Sequence, residues 1–293
     1  MKNTFTVLAV LLVSTLVSAQ MPAPGGGPLT RHYRDGETLT YHMTAANDDW
    51  HYTADVSGIA NKKASGSYIE DFHWTGMTSN GQPITLAPAM AQFRQSLSLD
   101  PNLAPSMPDL SKVDPKMVGP ITDLMTFYVD LWFMNKIGIL QHPGDHFYMP
   151  NPQVASWADG AQVLVGKDHV DFDLNLQSID PVKQTAVVVV HHVPPSHPNL
   201  QLPAEWMQAP VADTANNWVQ VTKTKDRKYE AGVGKETFDV TIIVSTVDGK
   251  ILSASMENTV VTSGRLCDDA ALTKCGAAHP HTIHRHIEIA LEH

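Results

Sequence analysis

The stretch VTIIVSTVDGKILSASM, Val240 to Met256, decides the fold. Apolar and polar residues alternate on both sides of Asp248-Gly249, a turn dipeptide, so the stretch reads as an antiparallel hairpin. A two-residue loop would set Ile242 and Val244 opposite Ser255 and Ser253. A three-residue loop, Val247-Asp248-Gly249, pairs Val244 with Leu252, Ile242 with Ala254 and Val240 with Met256, and one face becomes apolar. A one-residue slip turns every side chain over, so the pattern selects the three-residue loop. Gly249 then takes the left-handed position of a type I turn with a G1 bulge.

The same period of two runs outward from this hairpin. Leu39, Tyr41 and Met43 alternate with polar residues, as do Trp50, Tyr52, Ala54 and Val56, then Tyr68, Phe72 and Trp74. Val170, Phe172, Leu174 and Leu176 repeat the pattern, and the β-branched run Thr185 to Val190 reads as a strand buried on both faces. In the last strand, Thr282 to Leu291, Ile283, Ile287, Ile289 and Leu291 share one face while His284, His286 and Glu288 share the other. Such strands belong to antiparallel sheet with one dry and one wet face. Two residues break the dry faces. Glu70 sits among Tyr68, Phe72 and Trp74, where it would act as an acid of raised pKa, sit at a sheet margin, or pair with an arginine such as Arg94, the structural roles being favoured. Arg285 interrupts the isoleucines of the last strand.

One segment has a different period. In ITDLMTFYVDLWFM, Ile121 to Met134, the residues Ile121, Leu124, Met125, Tyr128, Leu131 and Trp132 form a helical stripe, and Pro120 suits a first turn. The expected fold is therefore α+β and mostly β: a curved antiparallel sheet or partial barrel, packed by one main buried apolar helix over about 120–136. Long Pro-rich loops, Asp100 to Pro120 and His191 to Pro203, complete it. A single β-rich domain is expected over 35–293. At the level of fold alone, this shape resembles the half-barrel carriers that hold lipid or lipoprotein acyl chains in the periplasm. No motif carries that likeness.

The chain start adds a destination. Lys2, the apolar run Phe5 to Val17 and the small residues Val17-Ser18-Ala19 match a signal peptide over 1–19. MPAPGGGPL, Met21 to Leu29, breaks helix and strand alike, so 20–34 reads as a flexible tether. The run is shorter than the ~20 apolar residues that span a bilayer, so no transmembrane anchor is expected after cleavage. The expectation is an exported soluble protein, secreted or periplasmic. In an oxidising compartment, Cys267 and Cys275 are expected to form a local disulfide.

Composition excludes some partners. The 293 residues are 43% hydrophobic and 17% charged, with a net charge of −10. No basic run offsets that charge, so a nucleic-acid partner is not expected. There is no G-x-S-x-G, no H-E-x-x-H, no phosphate-binding Gly loop and no dinucleotide fingerprint. No enzyme class and no cofactor are assigned.

Three readings remain. The first is a binding or carrier protein for an apolar small molecule or lipid, with Tyr128, Trp132 and Phe133 of the apolar helix lining the site. The second is a metal-binding or metal-dependent exported protein. It uses His284, His286 and Glu288, which a strand places at i, i+2 and i+4 on one face. The third is an envelope structural or interaction module. Two further histidine groups read as structural: His142, Asp145 and His146 in a Pro-Gly turn, and His191-His192, whose side chains point to opposite faces.

Overall fold

A computed structural model describes residues 29–48, 50–98, 113–114, 117, 119–121, 123–124, 138–149, 155–156, 163–168, 171–193, 202, 204–224, 226 and 228–292. In chain order the strands are β1 (Glu37–Asn47), β2 (Trp50–Lys62), β3 (Tyr68–Ser79), β4 (Gln82–Pro83), β5 (Gln95–Ser98), β6 (His146–Met149) and β7 (Ala155–Ser156). There follow β8 (Val163–Asp168), β9 (Asp171–Asp180), β10 (Thr185–Val193), β11 (Trp218–Lys223), β12 (Tyr229–Ser245), β13 (Ile251–Cys267) and β14 (His279–Glu292). All join one open antiparallel sheet, whose main path is β4-β3-β2-β1-β14-β13-β12-β10-β9-β6. The first long strand, β1, pairs with the last, β14, so the two ends of the described chain meet inside the sheet.

The central hairpin organises the rest. β12 and β13 are each 17 residues long, and β12 has two neighbours on its other edge. Its second half pairs with β10 and its first half with β11. The apolar residues divide in the same way. The main core takes Val240, Ile242 and Val244 of β12 with the inward residues of β1, β2, β3, β9, β10, β13 and β14. A smaller cluster forms around Met207, Val219, Val221, Ala231, Val233, Cys267 and Leu272. The Cys267–Cys275 disulfide closes a loop on this second cluster, and the Trp206 indole donates to Leu272 O at 3.1 Å there.

Within the hairpin, Val240 pairs with Met256 and Ile242 with Ala254, as the pattern requires. Val244 pairs with Ile251 rather than Leu252. Leu252 is an extra residue in the ladder, and this bulge keeps both Val244 and Ile251 on the buried side. Gly249 has φ +68°. A side chain there would also overlap the backbone of Thr30 and Arg31, because the segment Leu29 to Asp35 crosses the turn. The His32 N–H donates to Asp248 O at 2.7 Å, and Leu29 is fully buried.

The α+β designation needs correction. Among the described residues strand accounts for 59% and helix for 7%, so the fold is mostly β. The helices whose two ends are both described are single turns, α1 (Pro88–Ala91) and a 3-10 turn at Glu205–Gln208. Of the expected helix over 120–136, Ile121, Asp123 and Leu124 lie in helical backbone and are buried, while residues 122 and 125–136 fall outside the described residues. The physical reason is that the strands' own alternation fills most of the core. Chain from the β4–β6 interval covers the inner face with Met90, Val113, Met117, Ile121, Leu124 and Leu140.

Candidate functional site

The inner face of β3 carries the most unusual chemistry. Glu70, Phe72 and Trp74 follow one another at every second position and point inward, fully or almost fully buried. Gly58 on β2 lies opposite Phe72, and a side chain there would overlap Glu70 and Phe72. The glycine thus lets a carboxylate and a ring lie flat over the neighbouring strand. Glu70 meets Arg31 at 3.9 Å, not Arg94, whose guanidinium donates to Ala91 O and Phe93 O. Arg31 also sits 4.3 Å over the Tyr33 ring and donates to the Tyr41 hydroxyl at 3.5 Å. Tyr33 packs on Tyr68 with ring centroids 5.5 Å apart, and burial pushes its hydroxyl pKa well up. Glu70 and Arg31 therefore form a buried ion pair that ties the Leu29–Asp35 segment to the sheet.

Beside this pair lie polar atoms of another kind. β5 runs along β3 with Gln95 opposite Phe72. Gln95 is 2% exposed and Trp74 is 2% exposed. Neither end of the Gln95 amide, nor the Trp74 indole N–H, has a hydrogen-bond partner among the described residues. Each such orphan costs about 1–3 kcal/mol, and native proteins hold few of them.

A second inward cluster lies across the sheet. Arg285, the odd residue of β14, donates from its NH1 group to Asp123 Oδ1 at 3.1 Å. Tyr52 of β2 donates its hydroxyl to Asp123 Oδ2 at 2.5 Å. Burial raises the Asp123 pKa, while Arg285 and the Tyr52 bond pull it back. Burial likewise raises the Tyr52 pKa, and the Asp123 charge adds to the rise. Further along, Asn258 donates to Glu236 Oε1 at 3.0 Å, and Asn217 bonds both the N–H and the C=O of Glu236. Burial raises Glu236, against the pull of Arg285. Asn217 also donates to His192 Nε2 at 3.3 Å. Burial first, and the nearby Lys235 charge second, pull the His192 pKa down to about 4.

The outer face is a field of histidine–carboxylate pairs. Register aligns Asp173, His191, Asp239, Glu257 and His286 on five successive strands. His191 Nδ1 lies 2.5 Å from Asp239, and His146 Nδ1 lies 3.0 Å from Asp173. His286 is held from both sides, by Glu257 at 2.6 Å and by Glu288 at 3.2 Å. Burial opposes its charge, but the bonds to Glu257 and Glu288 outweigh burial and raise its pKa. Asp145 accepts from the backbone N–H groups of Gln141 and His142, which makes that motif a closed turn.

The residues singled out in the sequence fall as follows. His286 and Glu288 meet, whereas His284 turns to Asp48, with Nδ1 3.2 Å from Oδ1. Among the described residues, three-ligand convergence falls elsewhere on the same face. His42, Asp55 and Glu292, from β1, β2 and β14, each place one ligand atom within 4.8 Å of the others. Tyr128, Trp132 and Phe133 lie outside the described residues. Cys267 and Cys275 are bonded. Arg285 and Glu70 were visible in the sequence as breaks in apolar faces, but their partners Asp123 and Arg31 were not. The orphaned Gln95 left no sequence signal. Comparisons with protein-family models, with curated proteins and with solved structures give no match.

Proposed function

We propose that this chain is an exported carrier that holds an apolar ligand against the inner face of its sheet. One observation carries the reading. A single open sheet presents one continuous apolar face from β3 to β9, and the described cover is short non-strand chain rather than a second sheet. Chain of that kind can open locally, and a ligand that binds the uncovered wall would draw the equilibrium toward it. Tyr128, Trp132 and Phe133, in the sequence between the covering residues Leu124 and Leu140, are proposed to contact the ligand. The N-terminal signal pattern and the disulfide support an oxidising compartment, periplasmic or extracellular. Organic extraction of natively purified protein, followed by mass spectrometry, tests the reading. A stoichiometric lipid or other apolar molecule supports it; a clean extract from protein that also fails to bind an apolar fluorescent probe contradicts it.

A second reading has its own observation. His42, Asp55 and Glu292 offer one nitrogen and two carboxylate oxygens from three adjacent strands, a donor set suited to a divalent transition metal. His286 and Glu288 stand on the same outer face of β14. On this reading the outer face binds metal, with His284, His286 and Glu288 as the alternative set. Elemental analysis and zinc titration of wild type and His42→Ala test it.

A further inference from the structure

We infer that Trp74 and Gln95 form the polar subsite for the head group of the carrier's ligand, and that this head group is a neutral acyl carbonyl bearing an N–H or O–H donor. A carboxamide or an undissociated carboxylic acid has that form. The inference rests on the carrier reading and adds the chemistry of the ligand's polar end.

Trp74 follows Phe72 at the next inward position of β3, and Gln95 of β5 faces Phe72. Trp74 thus lies one inward step beyond the end of that ladder, diagonal to Gln95, at a separation of roughly 7–8 Å with the Cβ atoms somewhat closer. That separation is short enough for both side chains to reach one small group. Both are 2% exposed, and neither has a hydrogen-bond partner among the described residues. Met90 of α1 and Phe93 belong to the same apolar cluster as Trp74, so the surroundings of the two orphans are apolar.

Donor and acceptor arithmetic then defines the missing partner. The indole N–H only donates, while the Gln95 amide offers two donors and one acceptor oxygen. A carbonyl oxygen accepts from Trp74 and from Gln95 Nε2. Gln95 Oε1 needs a donor from the same ligand, which an amide N–H or an acid O–H supplies and an ester lacks. Charge is disfavoured. Glu70 is buried on the same face of β3, and its Arg31 partner is already shared with Tyr33 and Tyr41. A carboxylate anion would lose its hydration there beside another carboxylate.

The experiment uses the full mature protein with bound diphenylhexatriene as the apolar probe. Dodecanamide, methyl dodecanoate and, at pH 8, dodecanoate compete for it. The expected order is dodecanamide about tenfold stronger than methyl dodecanoate, the size of one well-made hydrogen bond, with dodecanoate weakest. Gln95→Leu should bind the probe normally, melt at a higher temperature without ligand, and lose the preference for the amide over the ester. Trp74→Phe should weaken amide and ester together by several-fold. If wild type binds the probe but ranks the three ligands by chain alone, the subsite is wrong and the carrier reading stands. If Gln95→Leu keeps the amide preference, or melts lower with competition unchanged, the amide serves an internal water and the inference falls. If wild type does not bind the probe at all, the carrier reading falls and takes the subsite with it.

Discussion

Arg285 of β14 and Asp123 of the covering segment meet at 3.1 Å, across 162 positions of chain, inside the apolar face of the sheet. The pair fixes the cover to the wall. Tyr52 completes the bonding of Asp123 from the adjoining part of the sheet, so the carboxylate is buried without being orphaned.

Asp123→Ala should therefore cost about 2–3 kcal/mol, because it strips a mostly buried guanidinium and a buried hydroxyl of their acceptor. The double variant Asp123→Leu/Arg285→Met should be less destabilised than the sum of the single changes, since it leaves no unpaired charge. Urea unfolding of the two single variants and the double variant measures this. Strict additivity would show that the two groups do not act as a unit.

Gly249→Ala should destabilise by at least about 1–2 kcal/mol. The position needs φ +68° and leaves no room for a side chain against Thr30 and Arg31. The segment carrying Arg31 should then lift from the hairpin and be cut early by protease. Limited proteolysis with N-terminal sequencing reads the site, and an unchanged cleavage pattern would contradict the docking.

Reduction of Cys267–Cys275, or replacement of both residues by Ser, should cost about 2–3 kcal/mol for a loop of this length. The loss should appear in the smaller cluster around Met207 and Leu272, where Cys267 is buried. Hydrogen exchange should show β11 and the first half of β12 opening while β1, β2 and β14 stay protected. Uniform loss of protection would contradict two separate clusters.

The pH response has two limbs of opposite sign. His192 falls from 6.5 unfolded to about 4 folded, so its contribution is present above pH 6.5 and is lost as the pH drops toward 4. The full loss is up to about 3 kcal/mol before solvent screening at its partly exposed ring reduces it. His286 is raised, so its contribution is present below pH 6.5 and is lost as the pH climbs through its folded value. His192→Asn should flatten the acid limb and His286→Asn the limb above pH 6.5, in thermal melts taken from pH 4 to 9. Variants that track wild type across that range would contradict the assignment.

Strand faces were readable because period two is local. The inward sets of β1, β2, β9 and β14 follow directly from alternation, and so does the hairpin register from Val240 to Ile242. The bulge at Leu252 was not readable, because it answers to the burial of Ile251 and to chain crossing the turn. The stripe over Ile121 to Met134 pointed to a dominant helix. Of that stripe, Ile121 and Leu124 lie in helical backbone and belong to the cover of the sheet, and residues 125–134 lie outside the described residues. Arg285 and Glu70 announced themselves as charges on apolar faces. Their partners lie far off in sequence, and only the folded chain pairs them. His284 and His286 share a face as expected, but their ring contacts depend on Asp48 and Glu257, which no spacing rule connects to them.

Titration of the natively purified, delipidated protein with diphenylhexatriene decides whether the inner face of the sheet takes an apolar ligand. Saturable one-to-one binding, reversed by an acyl amide, is expected. No saturable binding, in protein shown to be folded by its thermal melt, would contradict the carrier reading.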